Sequence, residues 1–166
     1  MMKLLVAIAL GMFGVQQHDH AAMVNERAGG TSSLSEQQVA QLLAGEGMGY
    51  AKPAELNHYP GPRHVIELRN ELSLTDAQRQ QVVAAYDAML ASAKALGAQI
   101  VEAERALDAS FRGGQIDEQQ LTRLTSTVAR LQGELRAIHL AAHLATRRAL
   151  TPEQVARYDQ LRGYSK

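Results

Sequence analysis

The run LTRLTSTVARLQGELRAIHLAAHLA, residues 121–145, decides the fold. Its apolar residues Leu121, Leu124, Val128, Leu131, Leu135, Ile138, Ala142 and Ala145 step along the chain by three and four in strict alternation. A sustained alternation of this kind is the a/d seam of helices that pack side by side. The preceding stretch offers a facing stripe, Val82, Tyr86, Met89, Ala93, Leu96, Ile100, Leu107 and Phe111, and breaks at the turn signal Gly113-Gly114. The spacing therefore predicts two long helices joined by a tight turn. Each extends about 50 Å at 1.5 Å per residue, and each seam residue contributes about 1–2 kcal/mol by burial.

Outward from this hairpin, four helix starts share one grammar. They are Leu34-Ser35-Glu36-Gln37-Gln38, Leu74-Thr75-Asp76-Ala77-Gln78, Ile116-Asp117-Glu118-Gln119-Gln120 and Leu150-Thr151-Pro152-Glu153-Gln154. Each sets an apolar residue before a capping residue and places Gln three positions after the cap. That is a capping box with the apolar residue a hydrophobic staple uses, and Pro152 falls at N1, where its missing N–H costs nothing. Such motifs start helices and need do no chemistry. Shorter helices are expected from Pro62 to Glu71 and from Thr151 to about Arg162. They cover only part of the hairpin, so a second copy of the chain is the expected source of the remaining cover. The fold class is all-α: a long antiparallel helical hairpin with short flanking helices, forming a homodimer.

Composition agrees. The 166 residues carry 17 Lys+Arg against 17 Asp+Glu, with no Cys, no Trp, two Phe and five Tyr. Balanced charge argues against a nucleic-acid partner, which would meet a basic face. The absence of cysteine excludes a disulfide framework, a thiolate metal site and a cysteine nucleophile.

Met1-Met2-Lys3 is a short cationic start, and residues 4–15 lack charge and are too few to span a bilayer of about 30 Å. This pattern reads as a secretory signal peptide. Residues 1–22 are assigned to it, although Ala9-Leu10-Gly11, a small-x-small site, would leave a short apolar region. Residues 23–60 read as a flexible N-terminal segment with a short helix, and residues 61–166 as the helical domain. No later segment is apolar enough to cross a membrane, so the mature protein is expected in the periplasm with no transmembrane span.

The histidines come in pairs. His139 and His143 stand at i and i+4 on a helix, so their rings leave one face, beside the seam. Two imidazoles about 6 Å apart can share a divalent metal. The plainer reading is two histidines near a helix end, where positive charge suits the dipole. Asn57-His58-Tyr59-Pro60-Gly61-Pro62-Arg63-His64 is a proline-bounded corner with Pro62 opening a short helix. If that helix packs across the hairpin, His64 completes a site with His139 and His143, with Glu67 or water as fourth ligand and His58 as a weaker candidate. The plainer reading there is a packed corner. A nitrogen and oxygen set of this type suits zinc, nickel, cobalt or copper(II), and does not suit a dedicated copper(I) thioether site. His18-Asp19-His20 borders the signal and is the least informative pair. Glu102 and Glu104 read as solvated charge, and Asp108 can pair with Arg112. No phosphate loop, GxSxG or HExxH occurs, so enzymatic activity is not expected.

At Leu74-Thr75-Asp76-Ala77-Gln78 and Leu150-Thr151-Pro152-Glu153-Gln154 the sequence resembles the LTxxQ superfamily of bacterial periplasmic stress proteins. That group holds Spy/CpxP-type chaperones and adaptors, heavy-metal resistance proteins and nickel–cobalt sensors of the CnrX type. The likeness runs from about Gly61 to Tyr164, and residues 154–162 read like the family's last helix. The metal-sensing branch carries a His–Met pair four residues apart on a helix, matched here by His139 and His143. It also uses histidines on a short first helix, for which His64 is nearest. Its glutamate ligand falls near Tyr86-Asp87 and is not kept. The resemblance implies two alternatives: a metal-binding resistance or sensing protein read by a membrane signalling partner, or an ATP-independent holdase. In the second, a curved dimer with Arg123, Arg130 and Arg136 near apolar patches would hold unfolded protein clients, although each arginine also fits an ordinary solvated helix face.

Overall fold

The computed structural model describes residues 31–164. The signal-peptide reading of residues 1–22 and the pair His18 and His20 lie outside the described residues. Within them the chain is helical, with no strand among the described residues. Six helices follow in order: α1 (Glu36–Ala44), α2 (Lys52–Glu55), α3 (Pro62–Glu67), α4 (Asp76–Arg112), α5 (Glu118–Ala149) and α6 (Pro152–Arg162). No helix among the described residues is long and apolar enough to cross a membrane.

Capping chemistry sets the boundaries. Ser35, Thr75 and Thr151 each accept from the backbone N–H three residues on, while Gln38, Gln78 and Gln154 reach back to the cap's own N–H. At α5 the box is only half made. Asp117 accepts from the Gln120 N–H, but the Gln120 amide turns away to Ser110 at 3.3 Å. The two Leu-Thr-x-x-Gln glutamines do more than cap. Gln78 and Gln154 exchange amide hydrogen bonds at 2.8 and 3.1 Å. Each also donates to a carbonyl beyond its own helix, Gln78 to Ala149 and Gln154 to Leu72. The starts of α4 and α6 are thereby clasped to each other and to the end of α5, which satisfies carbonyls a helix terminus would leave bare.

Helices α4 and α5 form the expected hairpin, about 55 and 48 Å long at 1.5 Å per residue. Its core lies in two clusters. One joins Leu34, Val39 and Leu42 to Ala93, Leu96, Ile100, Val101, Leu131 and Leu135. The other joins Val65 and Leu72 to Val82, Leu150, Val155 and Tyr158. Between them the seam turns polar, with His139, His143 and Thr146 buried on α5 and Tyr86 and Met89 half-buried on α4.

Three expectations need correction. The lead-in read as flexible belongs to the core from Thr31 onward, because α1 docks across α4 and buries Leu34, Val39 and Leu42. The docking is close: a Cβ added at Gly97 would stand 2.6 Å from the carbonyl carbon of Leu42. Glycine is required at this crossing by contact rather than by backbone angle. The helix from Pro62 stops at Glu67 and continues to Ser73 as turns. Glu104 is buried, 6% exposed, and accepts from the Ser33 hydroxyl at 2.6 Å. Asp108 does pair with Arg112, as its spacing implies. At the hairpin's turn the stripe fades, and Phe111 and Leu121 are exposed.

Candidate metal centre

The gap between the two clusters opens as a cleft of about 640 Å³, lined among others by Met48, Glu55, His64, Met89, His139 and His143. His64, His139 and His143 therefore border one cavity. They come from two directions. Helix α5 presents His139 and His143, one turn apart, and both are buried. Helix α3 presents His64 two residues inside its Pro62 start, after an extended Gly61 at its N-cap.

Glu55, the last residue of α2, joins the two sides. One of its carboxylate oxygens, Oε1, accepts from His64 Nδ1 at 3.0 Å and from the Tyr158 hydroxyl, with Tyr164 Oη at 3.4 Å and Arg162 Nε at 3.7 Å. The other, Oε2, lies 3.9 Å from His143 Nδ1. Burial pushes this carboxyl up, but hydrogen bonds from His64 and Tyr158 and the charges of His64 and His143 outweigh it, so it stays below its ordinary value of 4.5. Burial, and then the neighbouring Glu55, pushes the Tyr158 phenol up, so it remains a neutral donor.

The ring tautomers follow from these bonds. His143 Nδ1 donates to the Tyr59 carbonyl at 2.8 Å, which leaves Nε2 as the ring nitrogen turned from that bond. His64 donates through Nδ1 to Glu55, which likewise leaves Nε2 as its other ring nitrogen. Pinning one ring nitrogen to a carbonyl or carboxylate is how proteins orient imidazole ligands. His139 differs. Only 4% of it is exposed, and its Nε2 is buried with no hydrogen-bond partner. Burial, and then the charge of His143, holds it below the ordinary 6.5, so the ring is neutral. An unpaired buried nitrogen costs about 1–3 kcal/mol, and here it belongs to a good metal-ligating side chain. The donor types suit a transition metal, but among the described residues no group of three or more His, Asp or Glu side chains stands together so as to hold an ion.

The two weaker sequence candidates stand elsewhere. Glu67 pairs with Arg63 at 3.0 Å on the exposed side of α3. His58, held at φ 67°, bonds Asp159 at 2.7 Å and is largely exposed. The carboxylate brought to the rings is Glu55, which the sequence reading did not single out. A four-residue helix shows no apolar period, and nothing in its spacing to His64 marks it.

The chain is thus an all-helical hairpin, clasped at one end by two Leu-Thr-x-x-Gln helix starts. The family model for LTXXQ motif family proteins matches residues 62–162. The chain belongs to the LTXXQ motif family. Membership supports a periplasmic stress or metal-resistance protein in general. No curated protein and no solved structure matches the chain.

Proposed function

We propose that the chain is a periplasmic stress protein of the heavy-metal resistance or sensing type, taking a divalent transition metal through His64, His139 and His143. The observation that carries this reading is the orphaned Nε2 of buried His139, beside a second buried histidine in the cleft that also admits His64. Glu55 takes the place the sequence reading reserved for Glu67, since it is the carboxylate that His64 and His143 already face. Imidazole nitrogens with one carboxylate suit zinc, nickel, cobalt or copper(II). The donors are not preassembled as a cage, so capture goes with movement of the corner that carries Glu55 and His64. A membrane signalling partner would read that movement, and a homodimer would be stabilised by the bound ion through mass action.

Calorimetric titration with the four ions tests the reading. His139→Ala combined with His143→Ala is expected to weaken the best-bound ion by at least about tenfold. An unchanged affinity would remove the site.

A holdase is the second reading. What favours it is the exposure of Phe111, at 57%, and of Leu121 at the tip of the hairpin, Phe111 bordering a cleft of about 660 Å³. Of the arginines invoked for clients, Arg130 is paired with Glu134 at 2.7 Å, and Arg136 edges a small groove with Met48, Tyr50 and Leu56. Failure to suppress aggregation of a denatured client at stoichiometric protein would exclude it.

A further inference from the structure

We infer that the cleft has a second, softer face, on which Met48, Met89 and His139 take a monovalent copper or silver ion. This rests on the reading of the cleft as a metal site and names a further ion class for it. The donors divide by chemistry. Glu55, His64 and His143 are tied to one another and to Tyr59 and Tyr158 by hydrogen bonds. His139 has no such tie at Nε2. What the fold supplies instead are two thioethers on the same cleft: Met89 from the half-buried stretch of α4, and Met48 from the loop after α1.

The loop is placed against the ring. A Cβ added at Gly47 would stand 3.8 Å from His139 Nδ1 and Cε1, so the loop backbone just before Met48 lies along that edge of the imidazole, and Met48 itself lines the same cleft. Met48 holds φ at 42°, a conformation uncommon for a residue with a side chain, so tertiary packing fixes it there. Two thioethers and a neutral imidazole form a soft, uncharged set. Such a set selects copper(I) over the divalent ions that oxygen donors favour. Burial sharpens the preference, since desolvating a monovalent ion costs less than desolvating a divalent one. The six methionines have no spacing motif, so this pair is visible only in the folded chain.

The test is an anaerobic titration of the full chain with copper(I) buffered by a chromophoric chelator, run beside zinc calorimetry. Met48→Leu and Met89→Leu preserve apolar volume, and circular dichroism establishes that each variant folds. Each is expected to weaken copper(I) by about tenfold or more while zinc affinity stays within about twofold; tenfold corresponds to about 1.4 kcal/mol. Silver(I) is expected to shift the ε-methyl NMR signals of Met48 and Met89, assigned by the same variants. Undiminished copper(I) affinity in the double leucine variant, or methyl signals that silver(I) leaves in place, would overturn the soft face even with zinc bound. Methionine-dependent copper(I) binding without zinc binding would instead overturn only the divalent reading.

Discussion

Replacing Gly97 by alanine probes the docking of α1 and, through it, the metal cleft. In an ordinary helix interior, Gly→Ala stabilises by up to about 1 kcal/mol. At Gly97 the added methyl would sit 2.6 Å from the Leu42 carbonyl carbon and 3.2 Å from its Cα. The Leu42 carbonyl oxygen would be closer still, and backbone cannot yield as a side-chain tip can, so α1 must shift away from α4 to restore ordinary contact. Overpacking of this kind costs about 1–3 kcal/mol. It is bounded above by undocking of α1, which would expose Leu34, Val39 and Leu42, worth about 1.5–3 kcal/mol each when fully buried. The expected net effect is destabilisation of about 2 kcal/mol by urea unfolding, with a reduced slope if α1 detaches. Gly133 is the control, because a Cβ there meets nothing within 4 Å, and its alanine variant should be neutral to stabilising. Because α1 leads directly into the Gly47–Met48 wall of the cleft, Gly97→Ala should also weaken metal affinity. A Gly97→Ala protein as stable as its parent would refute the docking described here.

Glu55→Gln keeps the side chain's shape but discards the charge that His64 and Tyr158 donate to, and should cost about 1–2 kcal/mol in denaturant midpoint. The same substitution should flatten the acid limb of the stability profile. Glu55 is held below its ordinary 4.5, so its contribution is present above that value and is lost as pH falls through the lower native value. His139 is likewise depressed below 6.5: the unfolded chain takes up its proton first, so stability declines as pH drops beneath 6.5. Melting temperature followed from pH 7.5 to 5 should fall in the parent and fall less in His139→Gln; equal slopes would count against a neutral buried ring. Gln154→Ala breaks a cap, a bond to Leu72 and the exchange with Gln78, and should cost about 2 kcal/mol, against about 1 kcal/mol for Gln38→Ala, whose box has no partner outside its own turn. Equal losses would mean that the clasp adds nothing to capping.

Helix starts were legible because capping is local: Thr75 and Gln78 are three residues apart, and their chemistry needs no other part of the chain. The α5 seam was legible for a related reason, since the 3/4 alternation of Val128, Leu131, Leu135 and Ala142 depends only on helical pitch. Features made by distant segments were not. Glu104 shares the face of Ile100 and Leu107 but, as a lone carboxylate there, reads as solvated until Ser33 is folded against it. Gly97 looks like a weak spot in a helix until Leu42 is laid across it. The site divided along the same line. His139 and His143 announced themselves by spacing, and the prolines before His64 marked a corner. Glu55 and Met48 sit in short irregular segments, where no period distinguishes one carboxylate or thioether from another.

The two apolar clusters share no side chain, and what separates them is a layer of imidazole, hydroxyl and carboxylate around open space. Water-facing polar contacts reseal more readily than packed hydrocarbon, so each end of the hairpin can loosen without dragging the other with it. Backbone amides would then exchange with heavy water in two tiers divided near Met89 and His139. An ion seated at that division would weld the halves into one cooperative unit.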